Sequence, residues 1–207
     1  MTVEEKAAQL FIVTPEQLSG TGLVLQADEA FREGLQNKPV CGITYFGGNV
    51  ENAGQTKALL ADTQAQAREL GVMPLLLCVD EEGGMVQRIG GKSGFDAPFI
   101  ESASDIGATG DVSVARASAR SIATTLHELG FNVDFAPSCD VATSARSNMR
   151  YRSFGAEAAL VGRMAAAQIE VEKPFPQEEE LAEKSARLVE LNTQLDMDEK
   201  HRDPEQN

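Results

Sequence analysis

Residues 75–88 read Leu-Leu-Leu-Cys-Val-Asp-Glu-Glu-Gly-Gly-Met-Val-Gln-Arg. The five apolar residues Leu75–Val79, bounded by Pro74 and Asp80, predict a short buried β-strand. Asp80, Glu81 and Glu82 then fall at the strand's C-terminal end, which is where parallel α/β folds bind ligands. Gly83 and Gly84 allow a sharp turn and close backbone approach to a ligand. Asp80 offers an acceptor and Arg88 a forked donor, a pair suited to a polyhydroxylated ligand. The plainer alternative is a solvated turn holding an Asp–Arg ion pair.

Working outward, three further apolar runs read as buried strands: Leu10–Val13, Gly42–Phe46 and Val133–Ala136. Helical patterns separate them. In Val112–Leu129 the apolar positions Val112, Ala115, Ala119, Ile122, Leu126 and Leu129 form a one-sided stripe. Asp111 is placed to cap its start and Gly130 to end it in the left-handed conformation. Asn52–Leu70, closed by Gly71, and Ala156–Ile169 repeat the pattern. The alternation predicts a parallel α/β sheet whose strands are buried on both faces. Its first βα connection, Pro15 to Glu29, is long and rich in Gly, Ser and Thr.

The 207 residues carry 18 basic and 32 acidic side chains, a formal charge of −14, and are 42% hydrophobic. That composition supports a core and opposes nucleic-acid binding, which needs a basic face. No run of 18 apolar residues is present, so no membrane span is expected. Charges in Met1–Val13 occupy the place of a signal peptide's apolar stretch, so the chain as given reads as cytoplasmic. Residues 171–207 hold 11 acidic and 5 basic groups, and Pro174 and Pro176 mark the change in composition. Two domains are therefore expected, 1–170 and an acidic helical tail 171–207. Leu181, Leu188, Leu191 and Leu195 in the tail predict one amphipathic helix over Gln177–Lys200.

Other features invite over-reading. Gly91-Lys92-Ser93 ends like a phosphate loop, but Val86 stands where that motif needs glycine. No dinucleotide fingerprint follows a strand. Cys41, Cys78 and Cys139 are expected as small buried side chains beside strands, and His127 as a surface or boundary residue. Arg146, Arg150 and Arg152 cluster after the fourth strand. They suit either a ligand's oxygens or an ion pair with Asp140 or the Asp80 loop.

Five segments together resemble the N-terminal barrel of glycoside hydrolase family 3. Met1-Thr2-Val3-Glu4-Glu5-Lys6 with Gln9-Leu10-Phe11 is similar to its opening, and Gly42–Asn49 to its second strand and loop. Val79–Gly84 with Gln87-Arg88 resembles the signature of the β-N-acetylhexosaminidase branch. Leu129–Pro137 and Arg152-Ser153-Phe154-Gly155 follow in family order. The resemblance implies the N-terminal portion of a (β/α)8 TIM-type barrel, about four βα units, covering residues 1–170. It implies retaining hydrolysis of terminal β-linked N-acetylhexosamine by a carboxylate nucleophile and a general acid/base. Asp80, Arg88 and Arg152 match residues lining the sugar subsite. No cofactor or metal is expected, and the partner is a small sugar or glycan.

Departures accompany the matches. Met85 stands where the branch usually has arginine, and Tyr151 where an acidic residue commonly precedes Arg-Ser-Phe-Gly. The family's Lys-His-Phe-Pro-Gly-His segment, source of its histidine acid/base, is absent; Lys173-Pro174-Phe175-Pro176 only imitates it. No catalytic residue is assigned, and the chain is expected to be truncated and inactive alone. The competing expectation is a complete enzyme using Glu81 or Glu82 as replacement carboxylate. A non-enzymatic alternative is a half barrel that self-associates through its open edges and uncovered apolar interior. The Met-Thr-x-Glu-Glu-Lys segment is often internal in family members, which leaves room for an export signal upstream. Residues 177–200 resemble a stretch near the end of mobile-element helicase-methylase proteins.

Overall fold

The computed structural model describes residues 1–144 and 146–169. The tail helix expected over Gln177–Lys200, its proposed likeness, and Lys173–Pro176 lie outside the described residues.

Four parallel strands form one sheet in the order β1 (Ile12–Val13), β2 (Gly42–Thr44), β3 (Leu76–Val79), β4 (Val133–Asp134). Register pairs Ile43 with Val13 and Leu77, Cys78 with Val133, and Val79 with Asp134. Strand order follows chain order, as in the partial (β/α)8 barrel that the alternation of strand and helix signals predicts.

The helices are α1 (Val3–Ala8), α2 (Pro15–Ser19), α3 (Glu29–Asn37), α4 (Ala53–Glu69), α5 (Ala103–Ala108), α6 (Val112–Leu129) and α7 (Ala158–Ile169). Helix α6 has the expected ends. Asp111 Oδ1 accepts the Ser113 N–H at 2.8 Å, and Gly130 closes the helix at φ 105°. Its stripe is buried at Ala115, Ile122, Leu126 and Leu129, and His127 faces outward. Helices α1 and α2 start at capping boxes, Thr2 with Glu5 and Thr14 with Gln17. The long first connection therefore contains a helix, α2, inside what reads as loop.

Alternate strand residues separate two faces. Ile43, Tyr45, Leu77 and Val79 are buried beneath the helices with Phe31, Leu35, Leu59, Leu60 and Leu126. The opposite face is partly open among the described residues: Phe46, Leu76 and Phe135 are 42%, 41% and 46% exposed, whereas Cys78 beside them is fully buried. Burial of the strands on both faces thus holds at Cys78 and fails at Phe46, Leu76 and Phe135. The strands are also shorter than their apolar runs. Leu10 and Phe11 form the turn after α1 and are exposed. Phe135 still donates its N–H to Val79 O at 2.9 Å, and the Ala136–Pro137 bond after it is cis. Cys139 is exposed in the loop after β4, against expectation; Cys78 is buried and Cys41 half-buried, and all three are free. Burial pushes the Cys78 thiol up to about 11. No helix among the described residues is long and apolar enough to cross a membrane.

Candidate functional site

The three consecutive carboxylates after β3 point to three different tasks. Asp80 stays partly exposed, and Arg88 Nη2 reaches its Oδ2 at 3.4 Å. The Arg88 guanidinium carbon also lies 5.8 Å from the centre of the Phe46 ring, on the open face of the sheet. Glu81 turns inward and is 3% exposed. Its Oε2 accepts the N–H groups of Arg88 (2.6 Å) and Ile89 (3.1 Å), and its Oε1 that of Gly90 (2.7 Å). Glu82 is also buried and meets Arg152 as a two-pronged pair, Nε to Oε2 at 2.9 Å and Nη2 to Oε1 at 2.5 Å. Such forked pairs fix a guanidinium's plane as well as its position. The Glu82 hydrogen bonds, followed by its charge and those of Asp80 and Asp140, raise the Arg152 pKa further.

Both glycines of the loop are required by its shape. Gly83 and Gly84 adopt φ 94° and 58°, and an added Cβ would sit 2.7 Å from Glu101 O and from Ser102 Cβ respectively. The turn closes through Glu82 N–H to Val86 O (2.8 Å) and Val86 N–H to Gly83 O (3.2 Å). Gln87 ties it to the following segment, donating to Gly84 O and Ile100 O and accepting the Ile100 N–H.

The loop after β4 is organised by Ser153, which is fully buried. Its hydroxyl contacts Asp140 O (2.6 Å) and Gly155 O (2.9 Å) and accepts the Ala142 and Gly155 N–H groups. This knot sets the adjacent Arg152 toward the Asp80 loop. Within the arginine cluster, Arg150 lies 4.4 Å from the centre of the Tyr151 ring, and Arg146 is exposed. Arg152 makes an ion pair with Glu82 of the Asp80 loop through Nε and Nη2.

Two participants lacked an obvious sequence signal. In the sequence Phe46 reads only as the end of an apolar strand. Asp134, the one acid within the run Val133–Ala136, accepts the Glu81 N–H at 2.9 Å. Burial pushes its carboxyl up to about 7, reinforced by the charges of Glu81, Asp80 and Glu82. Lys92, from the false phosphate loop, donates its ammonium to Gly47 O (2.9 Å) and Val50 O, bracing the loop after β2. Among the described residues no group of three or more His, Cys, Asp or Glu side chains is placed to hold a metal ion.

A four-stranded parallel sheet with strands and helices alternating in chain order is the pattern of a partial (β/α)8 barrel, and the comparisons make the family specific. The "Glycosyl hydrolase family 3 N terminal domain" matches residues 2–174, and the chain belongs to that family. It is 32% identical over 134 residues to "Beta-hexosaminidase A" of Pseudoalteromonas piscicida, covering 62% of this chain and 22% of that protein. It is 32% identical over 155 residues to a "Beta-hexosaminidase" of Xanthomonas axonopodis pv. citri (strain 306), covering 72% of this chain and 43% of the relative. A solved family 3 β-N-acetylglucosaminidase from Paenibacillus sp. str. FPU-7 matches with TM-score 0.71 and 32% identity, over 82% of this chain and 30% of that one. The chain thus spans less than half the length of these relatives.

Proposed function

We propose that Asp80, Arg88 and Arg152 line part of a subsite for a terminal β-linked N-acetylhexosamine, within a domain of β-N-acetylhexosaminidase type. The observation that carries this reading is the Asp80–Arg88 contact at the C-terminal end of β3, with Arg152 held by the neighbouring Glu82. A carboxylate beside two guanidinium groups presents acceptors and donors matched to vicinal hydroxyls and an amide carbonyl. The same geometry argues against Glu81 and Glu82 as replacement nucleophiles. Both carboxylates are buried, and their oxygens already accept hydrogen bonds from the backbone or Arg152. No described residue is assigned as nucleophile or acid/base.

Titration with N-acetylglucosamine followed by ligand-observed NMR tests the reading. Charge-assisted hydrogen bonds, offset by ordering costs on an open site, give a dissociation constant in the millimolar range, about −4 kcal/mol. Asp80→Ala abolishes it. Micromolar binding that survives Asp80→Ala refutes the assignment. Turnover of a chromogenic N-acetylglucosaminide that is lost in Glu81→Gln or Glu82→Gln refutes the structural role given to those acids. A cytoplasmic location belongs to the same proposal, and recovery from the periplasm or cell surface on fractionation contradicts it.

A second reading, self-association, is favoured by exposed Phe46, Leu76 and Phe135, large apolar side chains on one face of the sheet.

A further inference from the structure

We infer that Glu81 is a positioning residue that sets Arg88 against Asp80; the inference rests on the sugar subsite proposed above. Asp80 and Glu81 are adjacent, so their side chains leave the backbone in opposing directions. One is partly exposed beside Arg88, the other 3% exposed beneath it. The buried carboxylate gathers the N–H groups of three consecutive residues, Arg88, Ile89 and Gly90, at 2.6, 3.1 and 2.7 Å. Those bonds cross seven to nine residues of chain and close the loop onto its own starting point. The Glu81 N–H is held in turn by Asp134 Oδ1 at 2.9 Å, so the anchor is fixed from the next strand.

The consequence falls on Arg88. Its backbone is held by the acid that follows Asp80, and its guanidinium is left to reach Asp80 Oδ2 and the Phe46 ring. Glu81 has no path to a bound sugar, since both of its oxygens are occupied and it is buried. It acts through Arg88. The carboxylate form is specifically needed, because both oxygens accept. Glutamine has one acceptor oxygen and would turn its NH2 toward at least one N–H that now donates.

The full chain is compared as wild type, Glu81→Gln, Arg88→Ala and the double variant. N-acetylglucosamine affinity is measured by ligand-observed NMR. The Arg88 amide and Nε–H signals are followed by hydrogen exchange. Protection of the Leu77, Tyr45 and Phe135 amides, which bond across the sheet, reports the fold. Losing one charge-assisted contact weakens binding by about tenfold. Glu81→Gln is expected to match Arg88→Ala, and the double variant to be no weaker than either. The Arg88 signals should lose protection with the sheet amides unchanged.

Effects of Glu81→Gln and Arg88→Ala that multiply toward about a hundredfold overturn the inference, because Glu81 would then act independently of Arg88. So does wild-type affinity in Glu81→Gln, or loss of sheet protection together with the loop, which marks a general structural role. If the wild type binds no sugar, the subsite proposal fails, and the Arg88 signals alone decide. Unchanged protection in Glu81→Gln then overturns the positioning role as well.

Discussion

Replacing Asp134 with Asn isolates the electrostatic cost of crowding acids at the ends of β3 and β4. Burial lifts the Asp134 carboxyl from the ordinary 3.8 to about 7; the charges of Glu81, Asp80 and Glu82 add to this, and the Glu81 N–H opposes it. Between those values the folded chain keeps a proton that the unfolded chain has released. Stability from this group is therefore complete below about pH 3.8 and falls as pH rises toward about 7. At roughly 1.4 kcal/mol for each pH unit the whole interval amounts to about 4 kcal/mol, and partial solvent access brings the expected figure to about 2–3. Asn keeps a carbonyl oxygen for the Glu81 N–H and cannot ionise. Urea unfolding from about pH 4 to pH 8 should show the two proteins nearly equal at the acid end. At the alkaline end the Asn variant should be more stable by about 2–3 kcal/mol. A gap that stays constant within about 0.5 kcal/mol across the range would refute the reasoning.

Three further outcomes follow from the geometry. Arg152→Ala strands the buried Glu82 carboxylate and should cost about 2–3 kcal/mol in urea unfolding, less than a fully buried pair because Arg152 is 36% exposed; a Glu82→Gln change in the same background should recover part of the loss. Gly107→Ala places a methyl 1.9 Å from the backbone oxygen of Phe154, so helix α5 must shift, and thermal unfolding should show about 1–3 kcal/mol of destabilisation. Light scattering on the purified chain should report a dimer or larger species that binds a dye for exposed apolar surface; a sharp monomer peak without dye binding would count against self-association.

Legibility differed by the range of the interactions involved. Helix α6 could be read to the residue, because its caps Asp111 and Gly130 and its apolar stripe are all encoded within its own length. Strand ends could not. Leu10 and Phe11 are as apolar as Ile12, but α1 finishes at Ala8 and spends them on a turn. Cys139 illustrates the same point, since β4 ends at Asp134 and leaves it exposed in the loop that follows. In the site, the position of the acids at a strand end and the candidates Asp80, Arg88 and Arg152 came from the local pattern and the family likeness. The division of labour among Asp80, Glu81 and Glu82 did not. It depends on Asp134, 53 residues beyond Glu81, and on Arg152, 70 residues beyond Glu82. Three adjacent acids carry no local mark of which one turns inward. A single aspartate inside an otherwise apolar strand, Asp134, was the available clue.

The loop that follows β3 is largely self-fastened. Glu81 grips residues 88–90, Gly83 and Val86 form a one-rung antiparallel bridge, and Gln87 binds Gly84. From outside residues 80–100 it draws on the Asp134 acceptor, Arg152, the Gly47 and Val50 carbonyls that take the Lys92 ammonium, and the Ala53 N–H that binds Gly94 O. Moved as residues 80–100 into another parallel barrel, between a strand and its helix, it would carry its own curvature with it. The host would need to supply an acceptor on the next strand, a guanidinium opposite Glu82, carbonyls for the Lys92 ammonium and an apolar seat for the fully buried Ile89. That makes the loop a cartridge for placing an aspartate and an arginine side by side at the mouth of a barrel.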